Sequence, residues 1–186
     1  MKKLLIVVCA VLLGFFPVMS FAANQDLALS AGLGIVYPMG DMGDVIDYAL
    51  SLPVSVQYAV VPNISLELDG YYYLYSSTDL DSFTLYQYGV GGRYWLEKAF
   101  NGIYCGAGLG RTHLETELKT TIPFFGTYTV KTDDDFTTLF LKAGYTMKLD
   151  PIILDMGIRY DAIDMDDWFD QPITLYAMAT YPLSLK

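Results

Sequence analysis

The 186-residue sequence has little histidine, cysteine and charge, and each shortage excludes a class of protein. His113 is the single histidine, so any catalytic site that needs an imidazole base depends on that residue. Of the two cysteines, Cys9 lies in an apolar N-terminal run, which leaves Cys105 alone in the remainder and excludes an intrachain disulfide there. Charged residues make up 17% of the sequence against 53% hydrophobic residues, a balance that is unusual for a soluble surface.

Beyond its N-terminus, the sequence has no apolar run long enough for a membrane helix. Residues 4–16 follow two lysines and have the length of a signal-peptide core, and Ser20-Phe21-Ala22 supplies a small-x-small cleavage pattern. We therefore predict a cleaved signal peptide over residues 1–22 and one exported domain over residues 23–186. Cleavage leaves 9 basic against 21 acidic residues, a net charge of −12 that argues against nucleic acid as a partner.

Apolar residues alternate with small or polar residues in eight segments of the exported domain. Such alternation is typical of strands whose two faces lie in different surroundings, and each segment reaches the roughly nine to eleven residues that a tilted strand needs to cross a bilayer. The connections alternate between long and short, as in barrels of the bacterial outer membrane. We predict an all-β fold, an eight-stranded antiparallel up-and-down transmembrane β-barrel with a filled polar lumen. The segments cover residues 27–37, 52–61, 64–75, 83–96, 103–114, 137–149, 152–163 and 173–183.

The composition of the two strand faces predicts which face meets lipid. One face is rich in glycine and carries only nine charges, whereas a soluble surface is typically about 25 to 35% charged. We predict that this face lines the lumen and that the leucine-rich face, which includes Cys105, meets lipid. Aromatic residues near strand ends predict interfacial girdles, at Tyr37, Tyr71, Tyr72, Tyr73, Tyr94, Trp95, Tyr160 and Tyr181.

The nine lumen-face charges comprise five acids and four bases, a near-balance that a closed lumen needs because a buried charge is costly unless it is paired. Register estimates place Glu67 near Gly91 and Lys142 opposite Arg159, a like-charge pair that nearby acids must neutralise. We predict a structural charge network of Glu67, Asp69, Arg93, Lys142, Asp155, Arg159 and Asp161. The other two charges are Glu97 and Lys148.

Several short stretches resemble the family of small eight-stranded bacterial outer-membrane β-barrels, with its OmpA-like and OmpX-like members. The resemblance implies an outer-membrane monomer that contacts outer-membrane lipid and lipopolysaccharide and is placed by the barrel-insertion machinery. The family's last strand usually ends in an aromatic residue, a position for which Tyr181 is the candidate here. The matching stretches are Tyr37-Pro38-Met39-Gly40-Asp41, Gly89-Val90-Gly91-Gly92-Arg93-Tyr94, Tyr104-Cys105-Gly106-Ala107-Gly108-Leu109-Gly110 and Asp155-Met156-Gly157-Ile158-Arg159-Tyr160.

Three features outside the lumen are candidates for chemistry. His113 lies on the lipid-facing parity without the serine that a lipid A deacylase pattern requires. Phe124-Phe125-Gly126-Thr127-Tyr128 lies in the longest predicted loop, 115–136, either as a contact surface or packed against Trp168-Phe169. Residues 127–130 are a candidate continuation of strands five and six as a hairpin. Fourteen acids lie in the long loops, where Ca²⁺ is conceivable but no calcium-loop spacing is present. They are Asp41, Asp44, Asp47, Asp79, Asp81, Glu115, Glu117, Asp133, Asp134, Asp135, Asp164, Asp166, Asp167 and Asp170.

From these features we predict no catalytic residue, no cofactor and no metal site. The expected role is structural or interactive, through acidic extracellular loops and an external partner that the sequence does not identify. Two alternatives stay open at this point. One is an enzyme that modifies outer-membrane lipid through His113, and the other is a soluble periplasmic barrel that carries an apolar ligand.

Overall fold

The computed structural model of the protein describes residues 26–39, 48–75, 82–122, 126–165 and 168–184, and the predicted signal peptide lies outside them. In this part of the chain, no helix is long and apolar enough to cross a membrane. Most of the described residues lie in strands. These are β1 (Asp26–Tyr37), β2 (Ala49–Val61), β3 (Ile64–Tyr75), β4 (Ser82–Trp95), β5 (Gly102–Ile122), β6 (Gly126–Lys148), β7 (Ile153–Met165), β8 (Trp168–Asp170) and β9 (Ile173–Ser184).

Eight of these strands close into a barrel. Each strand from β1 to β7 pairs antiparallel with the next, β7 pairs with β9, and β9 pairs with β1 from Asp26 opposite Ser184 to Tyr37 opposite Ile173. The three-residue β8 pairs with the end of β7, at the barrel end that carries the long connections. The predicted eight-stranded antiparallel up-and-down barrel is confirmed, because every barrel strand has a partner on both sides.

The largest departure from the predicted strand limits is the β5–β6 hairpin. Pairing continues from Gly102 opposite Thr146 to Ile122 opposite Gly126, so the predicted loop over residues 115–136 is wrong. Threonine and valine, which favour extended backbone, recur through both arms and allow a two-stranded ribbon to form there. We call residues 115–122 and 126–136 the hairpin extension.

The two faces of the barrel wall are the predicted ones. Leu33, Leu109 and Leu141 point outward and are at least half exposed, whereas Arg93 and Lys142 are buried in the lumen. Cys105 lies on the outward face and is exposed, as expected for a lipid-facing filler. A soluble barrel would hide its leucines inside, so this arrangement excludes the alternative of a periplasmic carrier.

The predicted aromatic girdles are correct only in part. Tyr37, Tyr72, Tyr94 and Tyr181 are exposed on the outer face, and Tyr160 is half-buried. Tyr71, Tyr73 and Trp95 are instead buried in the lumen, so their assignment to a girdle was wrong. The reason is the period of two: neighbouring residues such as those at 71–73 necessarily alternate between lumen and lipid.

A glycine-lined wall makes room for one large ring in the lumen. Phe140 on β6 is fully buried. A Cβ atom added at Gly91 would lie 2.8 Å from Phe140 Cζ, and one added at Gly89 would lie 2.9 Å from Cε1. Such distances are closer than side-chain packing tolerates, so the glycines of β4 and β5 allow the ring to lie flat against the wall. The ring in turn contributes to the centre of the charge network.

Candidate functional site

The lumen charge network has one centre at Arg93, which β4 directs towards the barrel axis. Its Nε atom lies 2.5 Å from Glu67 Oε2 and its Nη1 atom lies 2.6 Å from Asp155 Oδ2. The guanidinium also lies over the Tyr104 ring, 4.5 Å from the ring centroid. Tyr104 donates its hydroxyl to Asp155 Oδ1 at 2.7 Å and lies 2.5 Å from the Tyr176 hydroxyl. Two carboxylates and a phenol pair therefore hold one buried guanidinium.

The second centre contains Lys142 and Arg159, which lie directly opposite each other on β6 and β7 as predicted. Lys142 Nζ lies 2.8 Å from Glu67 Oε1 and 2.6 Å from Asp69 Oδ2. Arg159 Nη1 lies 3.0 Å from the same Asp69 oxygen, and Arg159 Nε donates to Asp161 Oδ1 at 2.8 Å. Acids on β3 and β7 thus separate two cations that would otherwise repel each other.

Polar and aromatic neighbours complete this second centre. Gln87 donates from Nε2 to Asp161 Oδ1 at 3.0 Å, and the Tyr73 hydroxyl donates to Gln87 Oε1 at 2.9 Å. The Arg159 guanidinium lies 4.1 Å from the centroid of the Phe140 ring, and Lys142 Nζ lies 5.0 Å from it. The ring face therefore provides cation–π attraction to both members of the like-charge pair. Sequence reasoning missed this contribution, although Phe140 stands on the lumen parity directly before Lys142.

The seven residues predicted to share a network all lie in it. The structure places Glu67 opposite Gly91, as the register estimate required, and links the two centres through the Glu67 carboxylate. The two remaining lumen-face charges do not join the network: Glu97 accepts from Asn101 Nδ2 at 2.9 Å, and both Glu97 and Lys148 are exposed at the short-turn end. Among the side chains that the structure describes, the lumen network therefore holds four acids and three bases, whereas the lumen face was predicted to carry five and four.

Below the Arg93 centre, an apolar cluster occupies the short-turn end of the lumen. Trp95 and Phe100 lie edge to face with ring centroids 5.8 Å apart, and Trp95 lies 4.7 Å from the Tyr104 ring. The Trp95 indole Nε1 donates to Ser65 Oγ at 3.3 Å, so the one polar atom of this buried indole has a hydrogen-bond partner. Charge network and aromatic cluster together fill the lumen with side chains.

Comparison with protein families agrees with this architecture. The family model described as the outer membrane protein beta-barrel domain matches residues 8–181. The chain belongs to this outer-membrane β-barrel family. Its closed barrel with an apolar outer face accordingly lies in the outer membrane and spans it with strands. A comparison with curated protein sequences finds no match.

Solved outer-membrane barrels share the fold at low sequence identity. Neisserial surface protein A is 16% identical with a TM-score of 0.56, over 86% of this chain and 97% of that one. Ail of Yersinia pestis, crystallised with the heparin analogue sucrose octasulfate, is 16% identical with a TM-score of 0.56, over 85% of this chain and 99% of that one. The N-terminal barrel of Pseudomonas aeruginosa OprF is 9% identical with a TM-score of 0.50, over 85% and 99% respectively.

Outside the lumen, the structure brings His113 together with two acids of the hairpin extension. His113 Nε2 lies 3.2 Å from Asp133 Oδ1, and Nδ1 lies 3.1 Å from Asp135 Oδ1. The imidazole also stacks on the Tyr86 ring, with centroids 4.6 Å apart. Sequence reasoning missed this cluster because it placed both aspartates in a loop. His113 lies opposite Asp135 in the same strand register that pairs Ile122 with Gly126, and that pairing was not predicted.

The remaining predicted loop features divide between strands and undescribed residues. Glu115, Asp133, Asp134 and Asp135 are exposed on paired strands. Asp41, Asp44, Asp47, Asp79, Asp81, Asp166, Asp167, Phe124 and Phe125 lie outside the described residues. In the described ranges, no group of three or more histidine, cysteine or acidic side chains is arranged to hold a metal ion.

Proposed function

We propose that this outer-membrane barrel acts by binding an external partner through its hairpin extension, and that it catalyses no reaction. The observation that carries the proposal is the length of β6. Its pairing with β7 begins at Thr137 opposite Asp164, so the 11 residues from Gly126 to Phe136 extend beyond that neighbour. At about 3.4 Å per residue, this ribbon reaches well beyond a lipid headgroup layer.

The edge of this ribbon suits the addition of another strand. Among the described residues, the 126–136 stretch of β6 has a strand partner on its β5 side only. A strand with one unpaired side presents backbone N–H and C=O groups that an extended segment can bind. The side chains supply charge selectivity, because Glu115, Asp133, Asp134 and Asp135 are exposed there. We therefore infer a partner that offers an extended segment with basic side chains.

The charge of the hairpin also separates this chain from one of its structural neighbours. Ail was crystallised with sucrose octasulfate, a polyanion. Four exposed acids repel such a ligand, so we do not expect this protein to bind heparin-like sugars. We propose lipopolysaccharide as the lipid partner of the barrel, because the acids of the hairpin extension can contact it through bridging divalent cations.

The geometry of His113 supports a role without catalysis. A histidine that activates a nucleophile needs one ring nitrogen free to accept the proton and the other held by an orienting group. Both ring nitrogens of His113 lie within 3.2 Å of carboxylate oxygens, so neither faces a nucleophile. We propose no cofactor, no metal site built from the protein's side chains alone and no conductance through the filled lumen. Lipid A acyl chains should be identical in cells with and without the gene, and a change that His113→Ala abolishes would establish the enzyme alternative.

The remaining parts of the proposal concern biogenesis. We propose that residues 1–22 are removed after export, that residues 23–186 form one monomeric domain, and that the barrel-insertion machinery reads the last strand. Tyr181 is half exposed on the outer face of β9 and is the aromatic residue best placed for that contact. Tyr181→Ala should reduce the amount of barrel in outer membranes, and Tyr94→Ala is the control because it removes an exposed aromatic from an internal strand.

Orientation can be tested in intact cells. Asp134→Cys in the hairpin extension and Asp150→Cys at the short-turn end each place a thiol at an exposed position, in a Cys105→Ala background. A membrane-impermeant maleimide should label the first variant and leave the second unlabelled until the cells are opened. The reverse labelling pattern would place the hairpin extension in the periplasm and remove it as a surface-binding element.

Binding can be tested with decalysine as the probe and the full barrel in lipid nanodiscs. We expect saturable binding that weakens with added salt and falls about tenfold when Asp133, Asp134 and Asp135 are all replaced by asparagine. Glu97→Gln with Asp150→Asn is the matched control, since both acids are exposed at the opposite end. Equal losses in the two sets of variants would show only a general effect of net charge.

A further inference from the structure

The formal charges of the lumen do not balance. Among the described residues, the buried ionisable groups of the network are four carboxylates and three cations, each at most 7% exposed. Their sum is one negative charge inside a closed wall. An uncompensated charge in such surroundings costs several kcal/mol, so a further positive charge or a proton is needed. The carboxylates are Glu67, Asp69, Asp155 and Asp161, and the cations are Arg93, Lys142 and Arg159.

The hydrogen bonds show which carboxylate carries the imbalance. Both oxygens of Glu67 and of Asp155 accept from a cation or a phenol, and both oxygens of Asp161 accept from Arg159. Asp69 differs, because Lys142 and Arg159 both bind its Oδ2 atom and Oδ1 has no partner among the described residues. Seven of the eight carboxylate oxygens are therefore satisfied, and the eighth is Asp69 Oδ1.

A second unsatisfied acceptor lies on the neighbouring strand. Gln57 donates from Nε2 to Ser55 Oγ at 3.2 Å and to Ser30 Oγ at 3.4 Å, whereas its Oε1 atom is buried without a partner. Ser55 lies opposite Asp69 and Gln57 lies opposite Glu67, so Gln57 and Asp69 are diagonal neighbours on the lumen face. A long side chain reaches across such a diagonal, and that of Gln57 extends along β2 to Ser55, the residue opposite Asp69.

We propose that the lumen binds one additional proton, carried on Oδ1 of Asp69 and donated to Oε1 of Gln57. One proton makes the sum of lumen charges zero and converts two unsatisfied acceptors into one hydrogen bond. The protonated carboxyl keeps Oδ2 as an acceptor for Lys142 and Arg159, so no ion-pair geometry has to change. The other groups next to Asp69 are Glu67 and Tyr71 on β3, and one partner further away Arg93 binds Glu67 and Asp161 binds Arg159.

The test compares two isosteric substitutions in the full barrel, refolded in lipid vesicles and unfolded with urea. Asp69→Asn imitates the protonated acid, since the amide offers an oxygen to the cations and an N–H to Gln57. Its unfolding midpoint should equal or exceed that of the wild type. Asp161→Asn removes a fully paired charge and should raise the unfolding equilibrium constant on the order of a hundredfold or more. Asp155→Asn replaces it as the control if that variant does not fold.

Infrared spectroscopy provides a readout that a purely structural role of Asp69 would not change. The wild-type barrel should show a carboxylic-acid C=O band that disappears in Asp69→Asn and persists in Asp161→Asn. Gln57→Met should shift this band, because it removes the proposed acceptor. The proposal is overturned if the wild type lacks the band, if the band survives in Asp69→Asn, or if Asp69→Asn destabilises the barrel as much as Asp161→Asn does.

Discussion

The barrel lumen and the hairpin extension use the same kinds of residue in opposite ways. In the lumen, Glu67 and Asp155 are almost fully buried and lie within 2.8 Å of their cationic partners. In the hairpin extension, Asp133 and Asp135 are more than half exposed, and each lies slightly above 3 Å from His113. Water solvates the second pair of acids and is excluded from the first.

This difference shows that the contribution of a carboxylate to the free energy of unfolding depends more on its exposure to water than on the number of its partners. A buried ion whose partner is removed retains its full desolvation cost, whereas an exposed ion recovers most of its solvation from water. The stability of the barrel therefore depends on keeping the lumen carboxylates paired. Hairpin carboxylates are free to contribute to a surface interaction without much effect on folding.

The largest expected effect is that of Arg93→Met. The substitution leaves Glu67 and Asp155 without their shared cation, and we expect the free energy of unfolding to fall by about 3 to 5 kcal/mol. Urea unfolding in vesicles, followed by tryptophan fluorescence, measures the change. Arg111→Met is the control, because Arg111 is exposed on the outer face of β5. A wild-type midpoint for Arg93→Met would show that the lumen network tolerates loss of its cation as the surface does.

An intermediate effect is expected where the wall approaches Phe140. Gly91→Ala places a Cβ atom 2.8 Å from the Phe140 ring and 2.7 Å from Ala107 O, and we expect about 1 to 3 kcal/mol of destabilisation from overpacking. Gly92→Ala, one residue along and facing outward, meets no heavy atom closer than 3.5 Å and should change stability by less than about 0.5 kcal/mol. The same urea experiment compares them, and equal midpoints would contradict the close packing of the ring.

The smallest effect is expected in the hairpin extension. Asp133→Asn combined with Asp135→Asn removes both carboxylates from His113, and the free energy of unfolding should change by less than about 1 kcal/mol. The ring signals of His113 in NMR spectra should nevertheless shift, since the side chains next to both ring nitrogens change. Asp134→Asn should leave those signals in place, because Asp134 lies opposite Leu114 rather than His113. A loss of stability comparable to that of Arg93→Met would abolish the distinction between the two regions.

Sequence reasoning succeeded where one face of a strand is buried. Alternation fixes which parity meets lipid, and folding neighbouring segments about the connection between them fixes register, so the pairings of Glu67 with Gly91 and of Lys142 with Arg159 were predictable. In the hairpin extension it placed only residues 127–130 in a candidate hairpin, because consecutive charged and polar residues interrupt the alternation there. It failed for Tyr71 and Trp95, because aromatic residues serve lumen packing and interfacial belts equally well.

Composition likewise could not locate every charge along the barrel axis. Glu97 and Lys148 stand near strand ends at the short-turn side, and only the closed register shows that they leave the lumen and meet solvent. The unpaired oxygens of Asp69 and Gln57 depend on side-chain geometry across two strands, which no pattern in the sequence encodes.

The pairing of β1 with β9 sets a condition on how the barrel is made. Twelve residue pairs join the two strands that are farthest apart in the chain, and until they meet the sheet has two open edges. No hydrocarbon environment tolerates those edges, so insertion cannot proceed strand by strand during synthesis. Closure of the wall is therefore a late event in assembly, because it waits for the final strand.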